Sequence, residues 1–221
     1  MEQNSESLEE IVLNDLPIRF ASQLIQKLPH VYPEAKSRAY DDPALEEIQA
    51  KHMLPQHRYS LAQALFQREA AQAGLEVTIE EVPANGYKYP LVVCGRLRLT
   101  IHHAHFPDEF VDICGYRKQH SAVNDRLLNP LLPFFASFDP VKLSEATEVY
   151  ANVLHGANPV TGKVDELGFL RIAFPSAKKK EWAGNLNLFD LHRKMLERQE
   201  REMQKAITVD LAIPRLKKKT N

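Results

Sequence analysis

Between Gly74 and Leu75 the hydrophobic repeat of the chain changes from about 3.6 residues to two, and this change decides the fold class. Upstream, "HRYSLAQALFQREAAQAG" sets Leu61, Leu65 and Phe66 on one helical face, with Gly74 placed to end the helix. Downstream, "LEVTIEEV" alternates Val77, Ile79 and Glu81 against Thr78 and Glu80. The turn-forming "PANG" follows, and "YPLVVCGRLRLTIHH" supplies a long partner strand. From Arg96 onward Leu97, Leu99 and Ile101 take one face while Arg96, Arg98 and Thr100 take the other, and Gly95 marks a bulge or bend. The pattern predicts an α+β fold with a mainly antiparallel sheet, a helical N-terminal region and a C-terminal helix.

Prolines punctuate the helical part. Leu8, Ile11 and Val12 recur at helical spacing, and Phe20, Leu24, Ile25 and Leu28 resume it beyond Pro17, which predicts two short helices. Asp42 followed by Pro43 reads as an N-cap and first-turn pair opening a separate helix through "ALEEIQAKHM". Beyond the sheet's first strands, further strand candidates are "EVYANVLHG", "FLRIAFP" and "GNLNLF", with the turn-rich "ANPVTGKVDELG" between the first two. A polar helix from about Asp190 to Ala206 turns Leu191, Met195 and Leu196 inward, and its Glu197 to Arg201 spacing supports helix formation. The predicted organisation is a helical region over 1–75, an α+β core ending in a helix over 76–206, and a basic tail over 207–221.

Charge excludes some functions in bulk. With 28 basic and 29 acidic residues, nothing in the net balance commits the chain to nucleic acid or an anionic membrane. Distribution says more: five acids and no base occupy residues 1–15, whereas nine bases and four acids occupy 193–221. The acidic "MEQNSESLEE" lacks a secretory or mitochondrial-type pattern, and no apolar run approaches a membrane span. Two cysteines, Cys94 and Cys114, make no disulfide framework and are read as reduced, packed thiols. The expectation is a soluble cytoplasmic protein with no membrane contact.

The most chemically suggestive stretch is "HHAHFPDEF". Strand parity places His103 and His105 on the face of Leu99 and Ile101 and sends His102 to the opposite face. Two imidazoles so spaced can converge on a divalent metal, provided Asp108, Asp112, His120 or His155 completes the set. The plainer expectation is that His103 and His105 are packed at a strand end while His102 is solvated. The stretch is not the helical H-E-x-x-H pattern. An acid-base role for His103, His105 or His155 is feasible near neutral pH, but no residue is assigned a catalytic role. Cys114 and His120 lack a nucleophile context, and the Gly-Lys of "NPVTGKVDELG" lacks the rest of a phosphate loop.

Arg96 and Arg98 on the strand, Tyr116, Arg117 and Lys118 in "GYRKQH", and Lys217, Lys218 and Lys219 in the tail form the candidate nucleic-acid contact, with Tyr116 available for stacking. The apolar "LLNPLLPFFASF" at 127–138 reads as core, or as an interface with a protein partner or a second copy. The resulting expectation is a non-catalytic intracellular interaction or regulatory protein without a cofactor, a complex subunit able to contact nucleic acid. The alternative is a metal-dependent hydrolase or nuclease centred on His103 and His105 with a divalent cation.

Overall fold

Ser7 opens the fold. Its hydroxyl accepts from the Glu10 amide at 3.2 Å while the Glu10 carboxylate accepts from the Ser7 amide at 3.0 Å, a reciprocal cap that starts α1 (Leu8–Asp15). The computed structural model describes residues 7–110, 115–128, 148–158, 160–176 and 181–212. The side chains of Tyr116 and of the apolar segment 127–138, together with Asp112, Cys114, Lys217, Lys218 and Lys219, lie outside the described residues.

Two helices are longer than their prolines foretell. α2 (Ile18–Tyr40) runs through Pro29 and Pro33, and α3 (Glu47–Gln72) runs through Pro55. An internal proline costs a helix about 3 kcal/mol. The buried stripe of α2, including Phe20, Leu24, Leu28, Val31 and Tyr32, and that of α3, including Leu54, Ala62, Leu65 and Phe66, outweigh that cost through tertiary burial. The helix anticipated at Asp42 and Pro43 is therefore a correction: Asp42 caps a turn by accepting from the Ala44 amide at 2.9 Å, and one helix begins only at Glu47. Gly74, at φ +77°, ends α3 as its sequence position requires.

The strands are β1 (Glu76–Glu81), β2 (Lys88–Cys94), β3 (Leu97–His103), β4 (Val149–Ala157), β5 (Leu167–Pro175) and β6 (Trp182–Asn187), in that order across one sheet. The run "YPLVVCGRLRLTIHH" is two strands rather than one, because the chain reverses at Gly95 and Arg96 and pairs Cys94 with Leu97. Gly95 adopts φ +56°, and a Cβ there would lie 2.8 Å from Cγ of Asp15. Asp15 fastens this turn, accepting from the Arg96 amide at 2.9 Å and from its guanidinium at 2.7 and 3.2 Å.

All pairings are antiparallel except the central one. β3 and β4 run parallel, from Leu97 opposite Val149 to His103 opposite His155. Leu97, Leu99, Ile101, Val149, Ala151 and Val153 face α2 and α3 in one continuous core, which also takes in α1 and the start of α5 (Leu188–Ala212). α4 (Gly115–Ser121) and the 3-10 turn that follows it, Ala122–Leu128, contact β4 from the other side. This double covering leaves eight of the nine residues of β4 buried. α5 extends beyond the Ala206 end anticipated for it, and Leu196, expected inward, is exposed because only Leu188, Leu191 and Met195 meet the core. Among the described residues no helix is long and apolar enough to cross a membrane.

Candidate functional site

The carboxyl ends of β3 and β4 bring His103 and His155 side by side, because strand parity points both toward the helices and the parallel register sets them opposite each other. Their ring centroids are 5.6 Å apart and nearly perpendicular, and His105 lies 5.5 Å from His103 on the outer side. The Ala104 amide donates to the His155 carbonyl at 2.9 Å, fixing the two strand ends together. Gly156 permits this closeness, since a Cβ there would meet the Ala104 carbonyl and the Phe169 ring, each at 2.3 Å.

Two helical side chains complete the cluster. The Tyr32 hydroxyl on α2 bonds Nδ1 of His155 at 2.9 Å, and the Arg58 guanidinium on α3 sits 5.2 Å from the centre of the Tyr32 ring. Arg58 also donates to the Val164 carbonyl, while Lys36 pairs with Asp165 at 2.8 Å, so α3 and α2 both grip the segment between β4 and β5. Neither Tyr32 nor Arg58 was anticipated as a site residue. One local signal exists for Arg58: it stands between Leu54 and Ala62 on the buried stripe of α3, where a charge is otherwise rare.

Electrostatics keep the imidazoles neutral. Burial, then the Arg58 charge and His105, pushes His103 down to about 4, with Glu109 opposing. His155 lies well below the usual histidine range through burial, then His103 and Arg58. Burial raises the Tyr32 phenol despite Arg58, so its hydroxyl keeps its proton. That hydroxyl shares a hydrogen bond with Nδ1 of His155, and the tautomer of the ring decides which of the two donates. Nε2 of His155, Nε2 of His103 and Nε of Arg58 are all buried with no hydrogen-bond partner among the described residues.

The opposite face of the sheet carries a polar network of a different kind. The Thr100 hydroxyl contacts the Tyr150 hydroxyl at 2.7 Å, Oδ1 of Asn152 at 2.9 Å and Nε2 of His102 at 3.3 Å. His102 is 2% exposed, which corrects the expectation that it is solvated: β4 and Thr100 enclose it. His120 lies 3.3 Å from the Glu80 carboxylate and 3.1 Å from the Tyr89 hydroxyl, and stacks on Tyr150 at 5.1 Å. These groups satisfy one another, unlike the three orphaned nitrogens across the sheet.

The other anticipated site residues are dispersed. Arg96 is held by Asp15 in the hairpin turn, and Arg98 pairs with Glu148 at 2.5 Å. Arg117 is half-buried, its charge depressing the His102 pKa after burial, and Lys118 is exposed. Asp108 contacts Asn185 and Arg171 instead of the histidines, and the Glu109 carboxylate accepts from the His105 and Phe106 amides at 2.6 and 3.2 Å. Among the described residues no three His, Cys, Asp or Glu side chains are grouped so as to hold a metal ion. Comparison with known proteins finds no matching family model, no matching curated protein and no matching solved structure.

Proposed function

We propose that the chain binds an oxyanion-bearing ligand, a phosphate or phosphate ester, at the carboxyl ends of β3 and β4. The observation that carries this reading is Nε2 of His155, a fully buried ring nitrogen with no hydrogen-bond partner among the described residues. Leaving such a buried polar atom unpaired costs roughly 1–3 kcal/mol, and Nε2 of His103 and Nε of Arg58 repeat the cost beside it. An oxyanion offers several lone pairs to the Arg58 guanidinium and to each imidazole in the tautomer that carries its proton on Nε2. The Arg58 charge favours this occupant over a divalent cation, which it repels.

This reading relocates the contact with phosphate from the basic strand, whose Arg96 and Arg98 are already paired, to the histidine cluster. It retains a binding or regulatory role and assigns no catalytic step. A protein partner has separate support: α5 exposes Phe189, Leu196 and Met203 at every seventh position, a stripe suited to a second helix. Native mass tests that part.

Titration with sulfate and with inorganic phosphate, followed by calorimetry and by histidine NMR resonances, tests the site. Binding should weaken by at least about tenfold in Arg58→Met, matching the loss of a charge-assisted hydrogen bond. Sulfate affinity should rise as pH falls, because the bound anion pulls the depressed imidazole pKa values upward. Absence of binding by the parent protein at low ionic strength, or about one equivalent of tightly held metal after chelator-free purification, refutes the reading.

A further inference from the structure

The groove next to the histidine cluster identifies what the oxyanion is attached to. We infer that the ligand is a nucleotide, its phosphate at Arg58, His103 and His155 and its base in the groove between α3 and the β1–β2 hairpin. The inference rests on the oxyanion reading and narrows it to one chemical class.

That groove has a volume of about 300 Å³ and is lined by Tyr59, Gln63, Gln67, Ile79, Tyr87 and Pro90 among others. The volume lies at the lower end of pockets that enclose small organic ligands. Its walls combine planar rings with amides. Tyr59 and Tyr87 lie 6.1 Å apart at 22°, and Tyr59 lies 6.0 Å from His102 at 20°, so near-parallel rings lead from the groove toward the end of β3. The ladder between β2 and β3 covers only Val92 to Cys94 against Leu97 to Leu99, and Tyr59 meets His102 beyond its last pair. Gln63 accepts from the Tyr87 hydroxyl at 2.9 Å, which orients both side chains along the wall.

Adjacency in sequence joins the two parts. Arg58, with its orphaned Nε, and Tyr59, with Tyr87 and His102 as ring neighbours among the described residues, are consecutive residues of α3. A ligand engaging both must carry an anionic group and a flat heterocycle a short distance apart. Bases stack on aromatic side chains with little sequence preference, and the carboxamides of Gln63 and Gln67 offer both donors and acceptors to a heterocycle edge. The groove of about 360 Å³ between α2 and α3, lined by Lys27, His30, Glu34 and Arg68 among others, has no Tyr, Phe or Trp ring in its lining and suits such a ligand less well.

Four probes separate the parts of the inference on the full chain: inorganic phosphate, ribose 5-phosphate, and adenosine and uridine 5′-monophosphates. The nucleotides should bind at least roughly tenfold more tightly than ribose 5-phosphate, within the range of base stacking on an aromatic side chain. Tyr59→Leu should erase that advantage while leaving ribose 5-phosphate affinity unchanged. Gln67→Ala, at an exposed position that the fold does not need, should reduce it in the same selective way. Nucleotides binding no better than ribose 5-phosphate would overturn the groove assignment and leave the oxyanion site standing. Failure of all four probes would remove both.

Discussion

Acidification from pH 7 to 5.5 should destabilise this protein more steeply than its carboxylates can explain. His102, His103 and His155 are held neutral by burial, with His103 near 4 and the other two well below 6.5. In the unfolded chain each protonates near 6.5, so the unfolded state takes up protons that the folded state refuses. The stability these groups confer is whole above 6.5 and is lost as pH falls toward the folded values. For one such imidazole the loss between pH 7 and 5.5 is roughly 1.3 kcal/mol, and for three roughly 4 kcal/mol. Glu69 is pushed up by burial but held below the usual carboxylate value by Lys27 and Arg68, so the stability it confers is still whole at pH 5.5 and is lost only at lower pH. Urea unfolding followed by far-ultraviolet circular dichroism in bis-tris chloride should show the midpoint falling by roughly 1–2 M. His103→Gln should shrink the fall by about a third, and added sulfate should reverse part of it at pH 5.5. A midpoint that is unchanged or higher at pH 5.5 would show that the imidazoles are charged in the folded state and would refute the reasoning.

Other perturbations test the frame that holds the site. Leu99→Ala removes a fully buried core side chain and should cost roughly 2–5 kcal/mol in urea unfolding, whereas Arg98→Ala, which breaks a half-exposed pair with Glu148, should cost less than about 1 kcal/mol. Gly156→Ala should cost roughly 3 kcal/mol or more, since its Cβ meets a backbone carbonyl, and should broaden the His155 resonances; a stable variant with unshifted resonances would contradict the described approach of β4 to Ala104. Asp15→Asn should speed hydrogen exchange of the Arg96 amide by loosening the turn after β2. The Cys94 thiol, pushed up to about 12 by burial and by Asp15, should resist aromatic disulfide reagents until the chain unfolds; stoichiometric reaction with the folded protein would show that it is accessible.

Local periodicity made the core face of β3 and the end of α3 legible. Leu97, Leu99 and Ile101 are buried while Arg98 is half-exposed, and Gly74 ends α3, because alternation and a left-handed glycine are properties of a few consecutive residues. Pro29, Pro33 and Pro55 misled in the other direction: a proline's local penalty is visible in sequence, but the buried stripe that overrides it depends on what the helix packs against. The parallel pairing of β3 with β4 left no mark that a local pattern could read. Without it, His103 and His155 are far apart in sequence, and His102 looks free to face solvent. The one trace is "VYANVLHGA" itself, an almost uninterrupted buried run of the kind that a strand covered on both faces requires.

The parallel pair also marks where the molecule divides. On one side β1, β2 and β3 are linked by short turns, and on the other β4, β5 and β6 form their ladders with near neighbours in sequence. Only the pair between them joins residues about 50 apart, and closing a loop of that length costs roughly 3.5 kcal/mol in chain entropy before any contact rewards it. The two halves are therefore expected to take shape first and to dock last, as separate folding units. A chain severed between β3 and β4 would keep every antiparallel ladder within one fragment or the other. Mixing the fragments would rebuild the core face to face, from Leu97, Leu99 and Ile101 against Val149, Ala151 and Val153. His103 enters from one fragment and His155 from the other, so recovery of anion binding would report reassembly directly.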